Sequence, residues 1–125
     1  MLKKIEHVGI LVSDMDRSIT FYTTILGLEL RARMRLNEQT ELAFLRIGDG
    51  EIELIHQAGE PEQRADGVVE HFAFTVTDVA AVLAHLKKHN VTLLNQEPWE
   101  LPAIGCRVAF FRGPDGEKLE LFAKL

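Results

Sequence analysis

The chain has 125 residues, 46% hydrophobic and 26% charged, with a formal net charge of −5. That is an ordinary soluble composition, long enough for one domain with a real core but not for two independent ones. The acidic balance, with no basic stripe, argues against a nucleic-acid partner, and no apolar run is long enough for a signal peptide or a membrane span.

Residues 5–12, IEHVGILV, alternate in the manner of a strand. Ile5, His7, Gly9 and Leu11 share one face, and Val8, Ile10 and Val12 share the other. Ser13 or Asp14 then offers an N-cap for a helix through RSITFYTTILG, with Gly27 as its stop. LELRARMRL (28–36) reads as a strand with Leu28, Leu30, Ala32 and Met34 on one side. TELAFLRIGDGEIELIHQ (40–57) reads as two strands joined at the GDG turn. AGEPEQRADG (58–67), polar and interrupted by breakers, is the expected linker.

The pattern restarts at Glu70. EHFAFTV is a strand, Thr77-Asp78 can cap a helix, and VAAVLAHLKKHN places Val79, Val82, Leu83 and Leu86 on one stripe ending at Asn90. VTLLNQEPW (91–99) and CRVAFFRGPDGEKLELFAK (106–124) supply three more strands, the last two joined at GPDG. EHVGILVSD and EHFAFTVTD are the same nine-residue pattern, and DGEIEL recurs as DGEKLEL. His71 follows His7 by 64 residues and Glu120 follows Glu53 by 67. Two tandem βαβββ modules, 1–57 and 68–125, forming a curved mixed sheet in one α+β domain, are the economical reading.

In each module one histidine and one glutamate oppose the apolar face that should cover the helix. Val8, Ile10 and Val12 take the helix and leave His7 opposite; Ile52 and Leu54 leave Glu53. Phe72, Phe74 and Val76 leave His71; Leu119 and Leu121 leave Glu120. If each module curls into half a cup, these four side chains line its inside. Two imidazoles and two carboxylates suit a borderline divalent ion such as Ni, Co, Zn, Mn or Fe, with two positions left for water or substrate. Glu51 shares Glu53's face and is the alternative ligand, but Glu53 is the residue that aligns with Glu120. His56 could serve as a helper at the cup rim. His85 and His89, spaced i, i+4 at a helix end, read as solvated surface that complements the helix dipole. Cys106, the single cysteine, excludes an internal disulfide and reads as a buried strand residue, which fits a reducing cytoplasm.

The stretches IEHVGILVSDMDRSITFYTTILGLEL, EIELI, EHFAFTVTDV and GPDGEKLELF resemble the vicinal oxygen chelate superfamily, over essentially the whole chain. That superfamily includes glyoxalase I, methylmalonyl-CoA epimerase, fosfomycin thiol transferases, extradiol dioxygenases and bleomycin-binding proteins. In its metal-using members the ligands fall at positions matching His7, Glu53, His71 and Glu120. The resemblance implies a metal-dependent lyase or isomerase of glyoxalase I type, acting on a hemithioacetal or a similar 2-oxo or 2-hydroxy compound. A ligand glutamate, Glu120 or Glu53, would shuttle the proton beside the carbonyl, with Glu120 preferred. The first strand lacks the arginine that glutathione-using bacterial members carry there, so the identity of a thiol cosubstrate stays open. The alternatives are an acyl-CoA epimerase, which usually has glutamine where this chain has Glu53, and a drug-binding protein whose cup is lined by Trp99, Phe110 and Phe44. The resemblance also implies a homodimer, for which unpaired strand edges give a physical motive.

Overall fold

The structure, a computed structural model, describes residues 1–59 and 66–125. The chain divides into two compact units, Met1–Gln63 and Arg64–Leu125. Residues 60–65 of the linker expected at 58–67 lie outside the described residues.

The first unit contains β1 (His7–Leu11), α1 (Met15–Thr20), β2 (Glu29–Arg35), β3 (Thr40–Ile47) and β4 (Gly50–Gln57). Its strands form one sheet in the order β1-β4-β3-β2. β1 runs parallel to β4, and the other neighbours are antiparallel. Asp14, not Ser13, caps α1: Oδ1 accepts from the Arg17 backbone N–H at 3.0 Å. After Thr20 the helix widens into a π-turn, Phe21–Ile25. Gly27 then leaves in the left-handed region at φ 83°, a conformation that costs glycine little. Beneath α1 lie Ile10, Ala43, Leu45, Ile52 and Leu54, all buried, and the helix adds Met15 and Tyr22. Truncating a side chain as closed in as Leu54 or Leu45 should cost about 2–5 kcal/mol.

β2 departs from the simple alternation. Leu30 pairs with Leu45, but Ala32 pairs with Phe44, so the register slips by one residue at Arg31. Leu30 therefore faces the helix side, whereas Ala32 and Met34 face the opposite side. The expected single row of Leu28, Leu30, Ala32 and Met34 is broken by this β-bulge, which inserts one unpaired residue.

The second unit repeats the plan with β5 (Phe72–Thr75), α2 (Val79–Lys88), β6 (Trp99–Leu101), β7 (Cys106–Arg112) and β8 (Lys118–Lys124). Strand order is β5-β8-β7-β6, with β5 and β8 parallel. Asp78 caps α2 by accepting from the Ala81 N–H at 3.0 Å, and Val79, Leu83 and Leu86 face the core. Each unit is thus a mixed four-stranded sheet with one helix against it, the α+β plan that the repeat implies.

The strand expected at 91–99 is a correction. Residues 91–98 make only one bridge, Leu93 to Phe111, and β6 begins at Trp99. Asn95 is the cause. Its buried side chain accepts the Phe110 N–H through Oδ1 at 2.6 Å and donates through Nδ2 to the Glu97 carbonyl at 2.6 Å. A side-chain amide has replaced a backbone rung, and Pro98 has no N–H to resume the ladder.

Candidate metal centre

In the second unit the register fixes one face of the sheet. Ala73 pairs with Glu120, and Phe110 pairs with Glu120 from the other side. Phe72, Phe74, Leu119 and Leu121 share the opposite, helix-side face. His71 immediately precedes β5 and so falls on Glu120's side, across from Lys118. Its Nε2 lies 2.8 Å from Glu120 Oε2, and its Nδ1 lies 2.8 Å from Glu70 Oε2. The Phe110 ring meets the imidazole edge-on at 5.3 Å between centroids. Glu120 is only 8% exposed, so its carboxylate has exchanged most of its water for this histidine. Glu70 is bound in turn by Lys118 Nζ. Lys118 first, and His71 second, hold the Glu70 carboxyl below the usual carboxylate range.

The first unit repeats the arrangement with different neighbours. His7 pairs with Glu51, and Gly9 pairs with Glu53. Strand period two puts His7, Gly9, Glu51 and Glu53 on one face, joined by Phe44, which pairs with Glu53 across β3. Gly9 has a steric reason to be glycine. A Cβ there would come 3.3 Å from Ile55 Cδ1 and 3.7 Å from Glu53 Oε1, so the missing side chain leaves room for the carboxylate. Glu51 is committed elsewhere: it takes both nitrogens of the Arg31 fork, one at 3.0 Å, and that guanidinium holds the Glu51 carboxyl below its ordinary range. Arg31 also lies over the Phe44 ring, 4.9 Å from its centre. Alternation from Leu30 turns Arg31 to this face, and the bulge brings Ala32 to it as well.

His7 and Glu53 therefore share one face of the first unit, and His71 and Glu120 are in contact in the second. Among the described residues no three His, Cys, Asp or Glu side chains gather as a metal-holding group. Each unit offers a pair of donors, one imidazole and one carboxylate. The second pair suits an ion well: Nε2 and Oε2 already point at each other, and the other ring nitrogen has its own acceptor, the arrangement that fixes a ligating histidine.

The remaining candidates are placed as follows. His56 shares the helix-side face with Ile52 and Leu54, opposite Glu53, so it is no rim helper to that glutamate. His85 and His89 lie on the exposed last turn of α2 with ring centroids 4.6 Å apart. Cys106 is fully buried in β7. Trp99 borders Phe110 at 6.1 Å between ring centroids, and Phe44 lies beside Glu53. Sequence reasoning missed Glu70, Lys118 and Arg31. Glu70 and Lys118 could have been found by carrying the strand pairing one residue beyond β5. Arg31 follows from alternation after Leu30, which turns it away from the helix side; what alternation could not show is that the bulge keeps Ala32 and Met34 on that face too.

A family model described as the Glyoxalase/Bleomycin resistance protein/Dioxygenase superfamily matches residues 4–121. The chain is 42% identical to the uncharacterized protein YwbC of Bacillus subtilis (strain 168), an alignment covering 99% of this chain and 100% of that one. It is 33% identical to a probable lactoylglutathione lyase of Vibrio cholerae, over 94% of this chain and 88% of the relative. Among solved structures, the trypanothione-dependent glyoxalase I of Leishmania major superposes with a TM-score of 0.78 at 31% identity, covering 98% of this chain and 87% of that one.

Proposed function

Because the chain belongs to the glyoxalase/bleomycin resistance protein/dioxygenase superfamily, we propose that it is a divalent-metal-dependent lyase or isomerase of glyoxalase I type. The observation that carries this reading is the contact between His71 Nε2 and Glu120 Oε2 at 2.8 Å, on the sheet face away from the helix. His7 and Glu53 repeat those residue types on the equivalent face of the first unit. The relatives named lactoylglutathione lyase and glyoxalase I support the choice of reaction class.

In this reading His7, Glu53, His71 and Glu120 are the ligands for a divalent ion of Ni, Co, Zn, Mn or Fe. Such an ion, when bound, would supply Lewis acidity to the substrate's oxygens. The chain's own residues do the rest. His71, fixed by Glu70 and the edge of Phe110, sets the direction of one donor. Phe44 and Phe110 each pair across the sheet with a ligand glutamate and limit its access to water. Glu120 takes the proton from the carbon beside the carbonyl and returns it to the neighbouring carbon; Glu53 is its counterpart. The substrate is a small 2-oxo or 2-hydroxy compound, as a thiol adduct or free. We assign the protein to the cytoplasm as a homodimer; among the described residues no helix is long and apolar enough to cross a membrane.

The test is metal analysis followed by a reconstituted activity screen. Protein loaded with each ion is assayed on methylglyoxal with a panel of thiols, alongside acyl-CoA epimerisation. The expected result is one ion per chain, isomerase activity on a hemithioacetal, and loss of the ion in His7→Ala. Glu120→Gln should lower kcat by about 10²–10⁴. Protein that takes up none of these ions would sink the reading and favour a small-molecule binder of the bleomycin-resistance kind. Metal uptake with epimerase turnover alone would move the assignment within the same enzyme class.

A further inference from the structure

His71 is gripped from both sides in a way the positions around His7 do not reproduce. Nε2 faces Glu120 at 2.8 Å, and Nδ1 faces Glu70 Oε2 at 2.8 Å. Glu70 is itself bound by Lys118 Nζ, and Lys118 lies 5.0 Å from the centre of the Phe110 ring, which stands at right angles to the imidazole. Lys118, Glu70 and His71 form a short relay across the ends of β5 and β8.

The repeat supplies an internal comparison. His7 corresponds to His71, and Glu6 to Glu70. Across the parallel ladder His7 pairs with Glu51, and one step before Phe72–Leu119 the same rung sets His71 against Lys118. The cation that draws a glutamate onto the imidazole in the second unit is therefore replaced by an anion in the first. Glu51 is occupied by Arg31, and among the described residues no hydrogen bond joins Glu6 to His7.

We propose that Glu70, held by Lys118, is the positioning residue for His71: it accepts the Nδ1–H and so presents Nε2 as the donor atom. The proposal rests on the metal reading above for its functional meaning. Its geometry stands without it. Once Nε2 gives its lone pair to an ion, a neutral imidazole must carry its proton on Nδ1, and Glu70 is the acceptor waiting there. A ligating histidine without such an acceptor can rotate or take the other tautomer, and losing one typically weakens metal binding about 10–100-fold. His71 is thus the fixed histidine of the pair, and His7 the adjustable one.

Two measurements on the full chain test this. In the metal-free protein, imidazole nitrogen resonances are followed by NMR in Glu70→Ala and in Glu6→Ala. The His71 Nδ1 signal should move in the first, and the His7 Nδ1 signal should stay in the second. Zinc is then titrated calorimetrically into the wild type and the variants. Glu70→Ala should bind zinc about 10–100-fold more weakly, Lys118→Met should lie between it and the wild type, and Glu70→Gln, which keeps an accepting oxygen, should recover most of the loss. Glu6→Ala should bind like the wild type. Unchanged thermal unfolding of Glu70→Ala separates positioning from a folding defect. Equal zinc affinity in Glu70→Ala and wild type, or an unmoved His71 Nδ1 signal, overturns the inference and leaves the metal reading intact. A wild type that takes no zinc or other ion, with the His71 signal still dependent on Glu70, overturns the functional reading and leaves the positioning.

Discussion

Gly9 shows how much a missing side chain can matter. With Ile55 Cδ1 already 3.3 Å from where a Cβ would sit, alanine is tolerable but a branched side chain has to push into Glu53. We expect Gly9→Ala to keep most metal binding and Gly9→Val to lose it at least tenfold. Circular dichroism should show the second variant folded, so a Gly9→Val protein that binds normally would mean Glu53 is not a ligand. Asp66 offers a different kind of check, on a residue that is not itself a ligand. Arg112 binds both its oxygens, one at 3.3 Å, and holds the carboxyl below its ordinary value. A carboxyl depressed by folding contributes stability that is fully present above its unfolded value, near 3.9, and lost as the pH falls through the lower folded value. The stability gap between wild type and Asp66→Asn, measured by urea titration, should thus be constant from about pH 7 to 5 and close only once the pH falls below the ordinary aspartate range. The pair is exposed, so the gap is small.

Elements were legible wherever a local rule governed them. Both helices were found from capping residue and apolar stripe, and the structure chooses Asp14 over Ser13 because only one oxygen can take the Arg17 N–H. The hairpin at GDG and the strands carrying Ile52–Leu54 and Leu119–Leu121 followed from alternation. The two failures have separate causes, one in the backbone and one in a side chain. At Arg31 an extra residue flips the register, and at Asn95 an amide takes the Phe110 N–H. The second leads to a prediction. Asn95→Ala leaves a buried N–H unsatisfied and should cost about 1–3 kcal/mol, read as a lower urea midpoint with unchanged slope. Because Phe110 leans on His71, the same variant should also weaken metal binding, whereas Asp78→Ala, a cap on the far side of the sheet, should cost about 1 kcal/mol and leave the metal alone.

For the molecule as a whole, the repeat was the informative signal. It carries the α+β architecture and the family in the sequence itself, because packing does not ask a histidine and a glutamate to recur in register. The stoichiometry decides between one shared ion and two half-sites. A four-ligand site predicts a single equivalent per chain, lost wholly in either His7→Ala or His71→Ala. Independent pairs predict that each variant keeps half of its metal, and finding that would divide the proposed centre in two.

The opposite charges at Glu51 and Lys118 have a last consequence. Duplicated halves begin with equal electrostatics, and these two no longer have them: Glu51 is tied to the Arg31 fork, whereas Lys118 is tied to Glu70. A change at one rung therefore has no counterpart at the other: reversing the sign at Lys118 takes the partner from Glu70, and reversing it at Glu51 takes the partner from Arg31.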